Sequence, residues 1–185
     1  MAPRVRIFGG CLHGALLTSP RGSTTRPTTG RVREAVFNIL GDSFEGRPVL
    51  DLFAGTGSLG IEAVSRGAAR ATFVDSAGDA CKAVGDSLRR CDIAERCTVI
   101  KARLPAALAR LDETFAIIFL DPPYEGDSGP GALVKCGALL APNGTLVYEH
   151  RSSYNPPEQP PSLKLVDRRT YGDTAIALYQ SQEHQ

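Results

Sequence analysis

Residues 49–60 read VLDLFAGTGSLG, and no other stretch limits the fold as much. Val49 to Phe53 is an apolar run interrupted by one acid, Asp51. It gives way to Gly55, Gly57 and Gly60 in G-x-G-x-x-G spacing, and a helical pattern runs from Ser58 to Arg66 and stops at Gly67. Closely spaced glycines between a strand and a helix let the backbone turn tightly and approach a ligand. Ala71–Val74 reads as the next strand, with Asp75 at its end, twenty residues after Gly55. A carboxylate there can accept hydrogen bonds from both hydroxyls of a ribose. The stretch therefore predicts an α/β fold with a nucleoside site at the carboxyl ends of its strands.

The alternation continues downstream. Ala77–Arg90 predicts a helix, Cys97–Lys101 a strand, Pro105–Leu111 a helix with proline in its first turn, and Phe115–Leu120 a buried strand. Gly131–Leu140 reads as a helix ending before Pro142-Asn143-Gly144, and Thr145–Glu149 as a strand. After a proline-rich loop, Leu163–Arg169 and Thr174–Gln180 are two strands joined only by Thr170–Asp173. That link is too short for a parallel crossover, so the pair is antiparallel. The expectation is a doubly wound, mostly parallel seven-stranded Rossmann-like sheet with an antiparallel edge hairpin. Upstream, Arg4–Phe8 and Leu12–Leu17 flank Gly9-Gly10 as a β-hairpin, and Thr18–Gly30 is a loop. Val32, Ala35, Val36, Ile39 and Leu40 share one face of a helix over Arg31–Leu40, with Thr28 or Thr29 as its cap. One domain is expected, with residues 1–47 as an extension and 48–180 as the core.

Composition excludes several classes. The chain has 185 residues, 42% hydrophobic and 22% charged, as in soluble globular proteins, and no apolar run is long enough for a membrane helix. Its five cysteines lack C-x-x-C spacing and only three histidines are present, so neither a metal site nor a disulfide framework is expected, and the compartment is read as the cytoplasm. Net charge is +1, but Arg4, Arg6, Arg21, Arg26, Arg31 and Arg33 give the first 33 residues +6 with no acid, and the rest sums to −5. A basic arm on an acidic body points to an anionic partner, nucleic acid first, although transit peptides and plain solvated surfaces share that composition.

Two cofactors fit the glycine loop: a nicotinamide dinucleotide and S-adenosylmethionine. Asp51 favours the second. A carboxylate beside the turn repels a pyrophosphate by about 1–4 kcal/mol, whereas it attracts a sulfonium and an α-ammonium. The bland alternative is that Asp51 merely bonds backbone. The second informative stretch is Asp121-Pro122-Pro123-Tyr124, directly after the Phe115–Leu120 strand. A proline stop is one explanation. The other is chemical. An amino group on a nucleobase is a poor nucleophile because its lone pair is delocalised into the ring. A carboxylate, Asp121, and a fixed carbonyl, that of Pro122, can each accept one N–H and turn the lone pair toward an electrophile. Pro123 fixes where that carbonyl points. Tyr124 offers a surface on which a base stacks.

These residues resemble class I methyltransferases: Val49–Gly57 their S-adenosylmethionine loop, Asp121–Tyr124 the [DNS]-P-P-[YF] signature of the amino-methylating members. Arg6–Gly10, Thr25-Arg26-Pro27-Thr28, Arg31–Leu40 and Tyr171-Gly172-Asp173-Thr174 resemble the bacterial 16S rRNA guanine-N2 methyltransferases of the RsmD type, over about residues 4–180. The resemblance implies methylation of the exocyclic N2 of a guanine, with 16S rRNA in assembling 30S particles as partner, no membrane and a monomeric enzyme. It assigns the cofactor to Asp51, Phe53, Ala54, Gly55, Thr56, Gly57 and Asp75, with backbone at Arg103 and Leu104 replacing the usual adenine-reading acid. It assigns RNA contact to Arg4, Arg6, Arg26, Thr28, Arg31 and Arg33, and no metal. Gly30 departs from the family pattern, which has Asp there. Rival readings are an adenine-N6 methyltransferase, a nicotinamide oxidoreductase and a non-catalytic RNA-binding assembly factor.

Overall fold

The computed structural model describes residues 5–20, 30–123 and 128–182. In chain order the elements are β1 (Val5–Arg6), β2 (Leu16–Leu17), α1 (Gly30–Leu40), β3 (Pro48–Leu52), α2 (Ser58–Ser65), β4 (Arg70–Asp75), α3 (Gly78–Arg90), β5 (Cys97–Lys101), β6 (Phe115–Leu120), α4 (Ser128–Cys136), β7 (Leu140–Arg151), β8 (Leu163–Tyr171) and β9 (Thr174–Ser181). The large sheet runs β5-β4-β3-β6-β7-β9-β8. Its first five strands are mutually parallel, and β9 is antiparallel to both β7 and β8. This is the doubly wound sheet with an edge hairpin that the sequence predicts.

Two apolar layers explain why the central strands carry so few polar residues. On one face, Phe37 of α1, Ile61 of α2 and Val84 of α3 pack with Phe73 and Phe119. On the other, Leu133 of α4 packs with Leu50, Ile118, Leu120 and Tyr179. All six residues of β6 are buried, as a parallel strand covered on both faces requires. Full burial of a side chain such as Phe119 or Leu120 contributes about 1.5–3 kcal/mol.

Three elements differ from the sequence reading. Residues 106–110 form a short 3-10 turn, with Pro105 before it rather than inside a first α-turn. Four or five residues complete too few i→i+4 hydrogen bonds to sustain an α-helix. Pro142-Asn143-Gly144 does not separate a helix from a strand. It lies within β7, where Asn143 adopts φ 58° and the pairing with β6 slips between Phe115 and Ile117. Asparagine tolerates the left-handed region, so the strand bulges instead of ending. The N-terminal hairpin is shorter than expected, with Val5 opposite Leu17 and Arg6 opposite Leu16. Thr28 and Thr29, the expected caps, lie outside the described residues. Gly30 opens α1, and a Cβ there would stand 2.9 Å from the Phe8 ring, so the ring fills the space that a side chain would need.

The hairpin docks on α2, the helix that leaves the glycine loop. Cys11 N–H donates to the Ser65 carbonyl and Leu12 N–H to Ser65 Oγ, each at 2.8 Å. Below them lies Glu62, fully buried. It accepts from Arg33 Nε at 2.9 Å, from Arg66 Nη2 at 2.8 Å and from Phe8 N–H at 3.4 Å. Arg33 also donates to the Arg6 carbonyl and lies over the Phe8 ring at 4.7 Å. One carboxylate thus ties β1, α1 and α2 together.

Candidate active site

The register places the site. Asp51 aligns with Phe119 and Leu52 with Leu120, so the glycine loop and Asp121 leave the sheet from adjacent strands at the same end. Asp75, last residue of β4, flanks the loop on the other side. Phe53, Gly55 and Gly57 have φ of 59°, 54° and 72°, so alternate residues of the turn lie in the left-handed region. Glycine adopts it freely, whereas Phe53 does so at a cost of about 1–3 kcal/mol that the surrounding packing must offset. Gly57 N–H closes the turn onto the Ala54 carbonyl at 2.6 Å, and Ala54 N–H is tied to the Val74 carbonyl at 3.2 Å. At Gly55 an added Cβ would meet only the Phe53 carbonyl, at 3.8 Å, so the backbone there stands open.

Gly60 has a different task. A Cβ there would overlap the Phe73 ring and approach Asp51 Cβ at 3.2 Å. This glycine brings α2 against β3 and β4. Gly60→Ala is expected to lower stability by about 1–3 kcal/mol through overpacking, read from urea unfolding. A loss below about 0.5 kcal/mol would show that the helix shifts freely.

The carboxylates converge. Asp75 Oδ2 accepts Gly55 N–H at 2.9 Å and Oδ1 accepts Ala77 N–H at 2.8 Å, which fixes the group against the loop. Asp51 is 2% exposed, and its Oδ2 accepts Gly60 N–H at 2.9 Å. It does bond backbone, as the bland alternative held, yet it also shares the crevice with the other acids. Burial pushes its pKa well above the usual carboxylate range, the Gly60 N–H opposes this, and the charges of Asp121 and Asp75 add to the rise. A crevice that gathers three carboxylates, with Asp51 desolvated among them, suits a cationic ligand and repels a phosphate. The residues expected to hold S-adenosylmethionine therefore fit a sulfonium and an ammonium.

Beyond Asp75 the chain stays near the same rim, since Ala102 N–H donates to the Asp75 carbonyl at 2.9 Å. Of the two positions expected to supply backbone to an adenine, Arg103 is exposed but its carbonyl already accepts Ala107 N–H at 3.1 Å. Leu104 is 7% exposed and packs in the core beside α4.

Asp121 N–H is 3.5 Å from the Leu52 carbonyl, which links the start of the Asp-Pro-Pro segment to β3. Pro122 is buried and Pro123 exposed. A cavity of about 400 Å³ opens beside them, walled by Pro122, Pro123, Gly129, Tyr148, His150 and Tyr154. The sequence reading missed this cavity. Its polar walls come from β7 and the turn after it, and one histidine in a strand gives no periodic signal.

The expected RNA contacts divide. Arg6 and Arg31 are exposed, on the hairpin and on the first turn of α1. Arg33 is not available: it is 2% exposed and paired with Glu62, so it holds the extension to α2 instead of meeting RNA. Its helical position gave the charge but not the face, which Glu62 decides. Arg4, Arg26, Thr28 and Tyr124 lie outside the described residues. Among the described residues no cluster suited to a metal ion is present, and no helix is long and apolar enough to cross a membrane.

Comparison with known proteins supplies the relatives. The sequence family described as "Conserved hypothetical protein 95" matches residues 5–180. YlbH of Bacillus subtilis, whose name proposes an rRNA methyltransferase, is 36% identical over 180 residues, covering 95% of this chain and 98% of that protein. Ribosomal RNA small subunit methyltransferase D of Escherichia coli is 33% identical over 183 residues, covering 96% and 90%. The solved structure of yhhF from Escherichia coli, whose name proposes a methyltransferase, superposes with a TM-score of 0.88 at 30% identity and covers 98% of this chain and all of that one. The shared fold and a match along nearly the whole chain lead to one conclusion: this protein belongs to the family of ribosomal RNA small subunit methyltransferase D.

Proposed function

We propose that the protein methylates the exocyclic N2 of a guanine in 16S rRNA, acting as a monomer on assembling 30S particles, with S-adenosylmethionine as the cofactor. The observation that carries this reading is the convergence of Asp51, Asp75 and Asp121 at the carboxyl ends of β3, β4 and β6, around a glycine turn. The names of the relatives support ribosomal RNA as the substrate. Arg6 and Arg31 supply positive charge on the extension that docks on the last turn of α2.

Bound in the crevice, S-adenosylmethionine would supply an electrophilic methyl group. Asp51 and Ala54–Gly57 would hold its methionyl part and Asp75 its ribose. Asp121 and the Pro122 carbonyl accept the two hydrogens of the target amine, which aims its lone pair and stabilises the positive charge that grows on nitrogen. Tyr124 is assigned the face of the ring. Positioning supplies most of the rate, since the transfer needs neither a metal nor a covalent enzyme intermediate.

Asp75→Ala is expected to weaken S-adenosylmethionine binding by about 1–3 kcal/mol, roughly fivefold to 150-fold, in calorimetry. Unchanged affinity would remove Asp75 from the ribose site. Transfer of a labelled methyl group tests the substrate. The expected order of acceptance is undermethylated 30S particles above naked 16S rRNA, with mature methylated subunits inert. Equal labelling of any RNA would contradict the reading.

A further inference from the structure

His150, one wall of the cavity beside Pro122, carries a buried polar atom that the fold leaves unsatisfied. His150, on β7, is 3% exposed, and its Nε2 has no hydrogen-bond partner among the described residues. Its other nitrogen, Nδ1, lies 2.7 Å from the Arg151 carbonyl. A carbonyl only accepts, so Nδ1 carries the proton. In the neutral ring Nε2 is then bare, an acceptor in search of a donor. Burial lowers the histidine pKa, as does the nearby Arg168, so the neutral form prevails at pH 7. An unsatisfied buried acceptor costs about 1–3 kcal/mol, which a purely structural core would avoid by placing an apolar side chain there.

Its neighbours say what kind of donor fits. Tyr148 and Tyr154 stand 5.2 and 5.7 Å from the His150 ring, tilted and edge-on, and both wall the cavity. Aromatic walls beside a buried, unsatisfied acceptor, with Glu149 next to it in the lining, suit a nucleobase taken out of its stack, which is read through its Watson–Crick edge. Extending the β6–β7 register beyond Leu120 opposite Tyr148 brings Pro122 level with His150. Guanine carries an N1–H next to its 2-amino group. Adenine carries a lone pair at its own N1.

We propose that His150 is the residue that selects guanine: Nε2 accepts the N1–H of the base whose 2-amino group is held by Asp121 and Pro122. The inference rests on the methyl-transfer reading above and adds the basis of its choice of base. An adenine in this place would set one lone pair against another, with no donor between them. Sites built to hydrogen-bond a substrate group reject analogues that lack it far more strongly than apolar pockets do.

Two measurements test this. Nitrogen-15 NMR of the wild-type histidines should show His150 with its proton on Nδ1 and Nε2 bare; a proton on Nε2 would overturn the proposal. In the second, reconstituted 30S particles carry guanosine or 2-aminopurine riboside at the mapped site. The analogue keeps the 2-amino group but has no N1–H. Wild-type enzyme should prefer guanosine by at least about twentyfold in kcat/KM. In His150→Gln that preference should fall about tenfold, because an amide can turn to donate, while S-adenosylmethionine affinity stays unchanged. His150→Leu should slow methylation of guanosine without favouring the analogue. A preference unchanged in His150→Gln would overturn the assignment and leave the methyl-transfer reading intact. Absence of methylguanine with wild-type enzyme would overturn both.

Discussion

Asp121→Ala is expected to lower kcat by at least about a hundredfold on an undermethylated 30S substrate, with S-adenosylmethionine affinity changed little. Asp121 follows β6 directly, is tied through its N–H to the Leu52 carbonyl, and faces the crevice closely enough for its charge to raise the pKa of Asp51. In the proposed mechanism its carboxylate gains most from the amine as positive charge develops, so its removal is expected to act on the transition state more than on binding. Asp121→Asn keeps an acceptor but not the charge and should fall between wild type and alanine. Activity within a few-fold of wild type in the alanine variant would show that Asp121 does not hold the amine.

Glu62→Ala should have the largest effect on stability, a loss of about 3–5 kcal/mol in urea unfolding, because Arg33 would stay buried with its countercharge gone. Arg66, one-quarter exposed, can turn to water, whereas Arg33 cannot. The hairpin should loosen with it, seen as faster hydrogen exchange at Cys11 and Leu12, whose N–H groups rest on Ser65 of the same helix. Replacing both members, Arg33→Met with Glu62→Leu, should recover much of the loss, because an apolar pair needs no desolvation of charge. A loss below about 1 kcal/mol in Glu62→Ala would mean that water reaches the site and that the pair is not the anchor described.

The parts of the molecule that the sequence revealed are those governed by local pattern. The Val49–Leu52 run, its glycines and Asp75 determine a strand, a turn and an acid within one βαβ unit, and the structure joins them by the Gly55–Asp75 hydrogen bond. The short Thr170–Asp173 link dictated an antiparallel pair, and β8 and β9 form it. What stayed hidden depends on contacts between distant segments. Arg33 reads as one more exposed arginine until Glu62, 29 residues on, is seen to turn it inward. His150 follows the predicted Thr145–Glu149 strand without any local signal, until its Nδ1–H bonds the Arg151 carbonyl and Nε2 is left without a partner beside the cavity. Asn143-Gly144 carries a turn signal, yet the pairing of β7 with β6 absorbs it as a bulge.

The central claim is a methyl group on the 2-amino nitrogen of guanine. Undermethylated 30S particles treated with wild-type enzyme and S-adenosylmethionine can be digested to nucleosides and analysed by mass spectrometry against standards. The expected product is N2-methylguanosine at a single 16S position, absent when Asp121→Ala replaces the wild type. N6-methyladenosine, or methylation that persists undiminished in Asp121→Ala, would contradict the account.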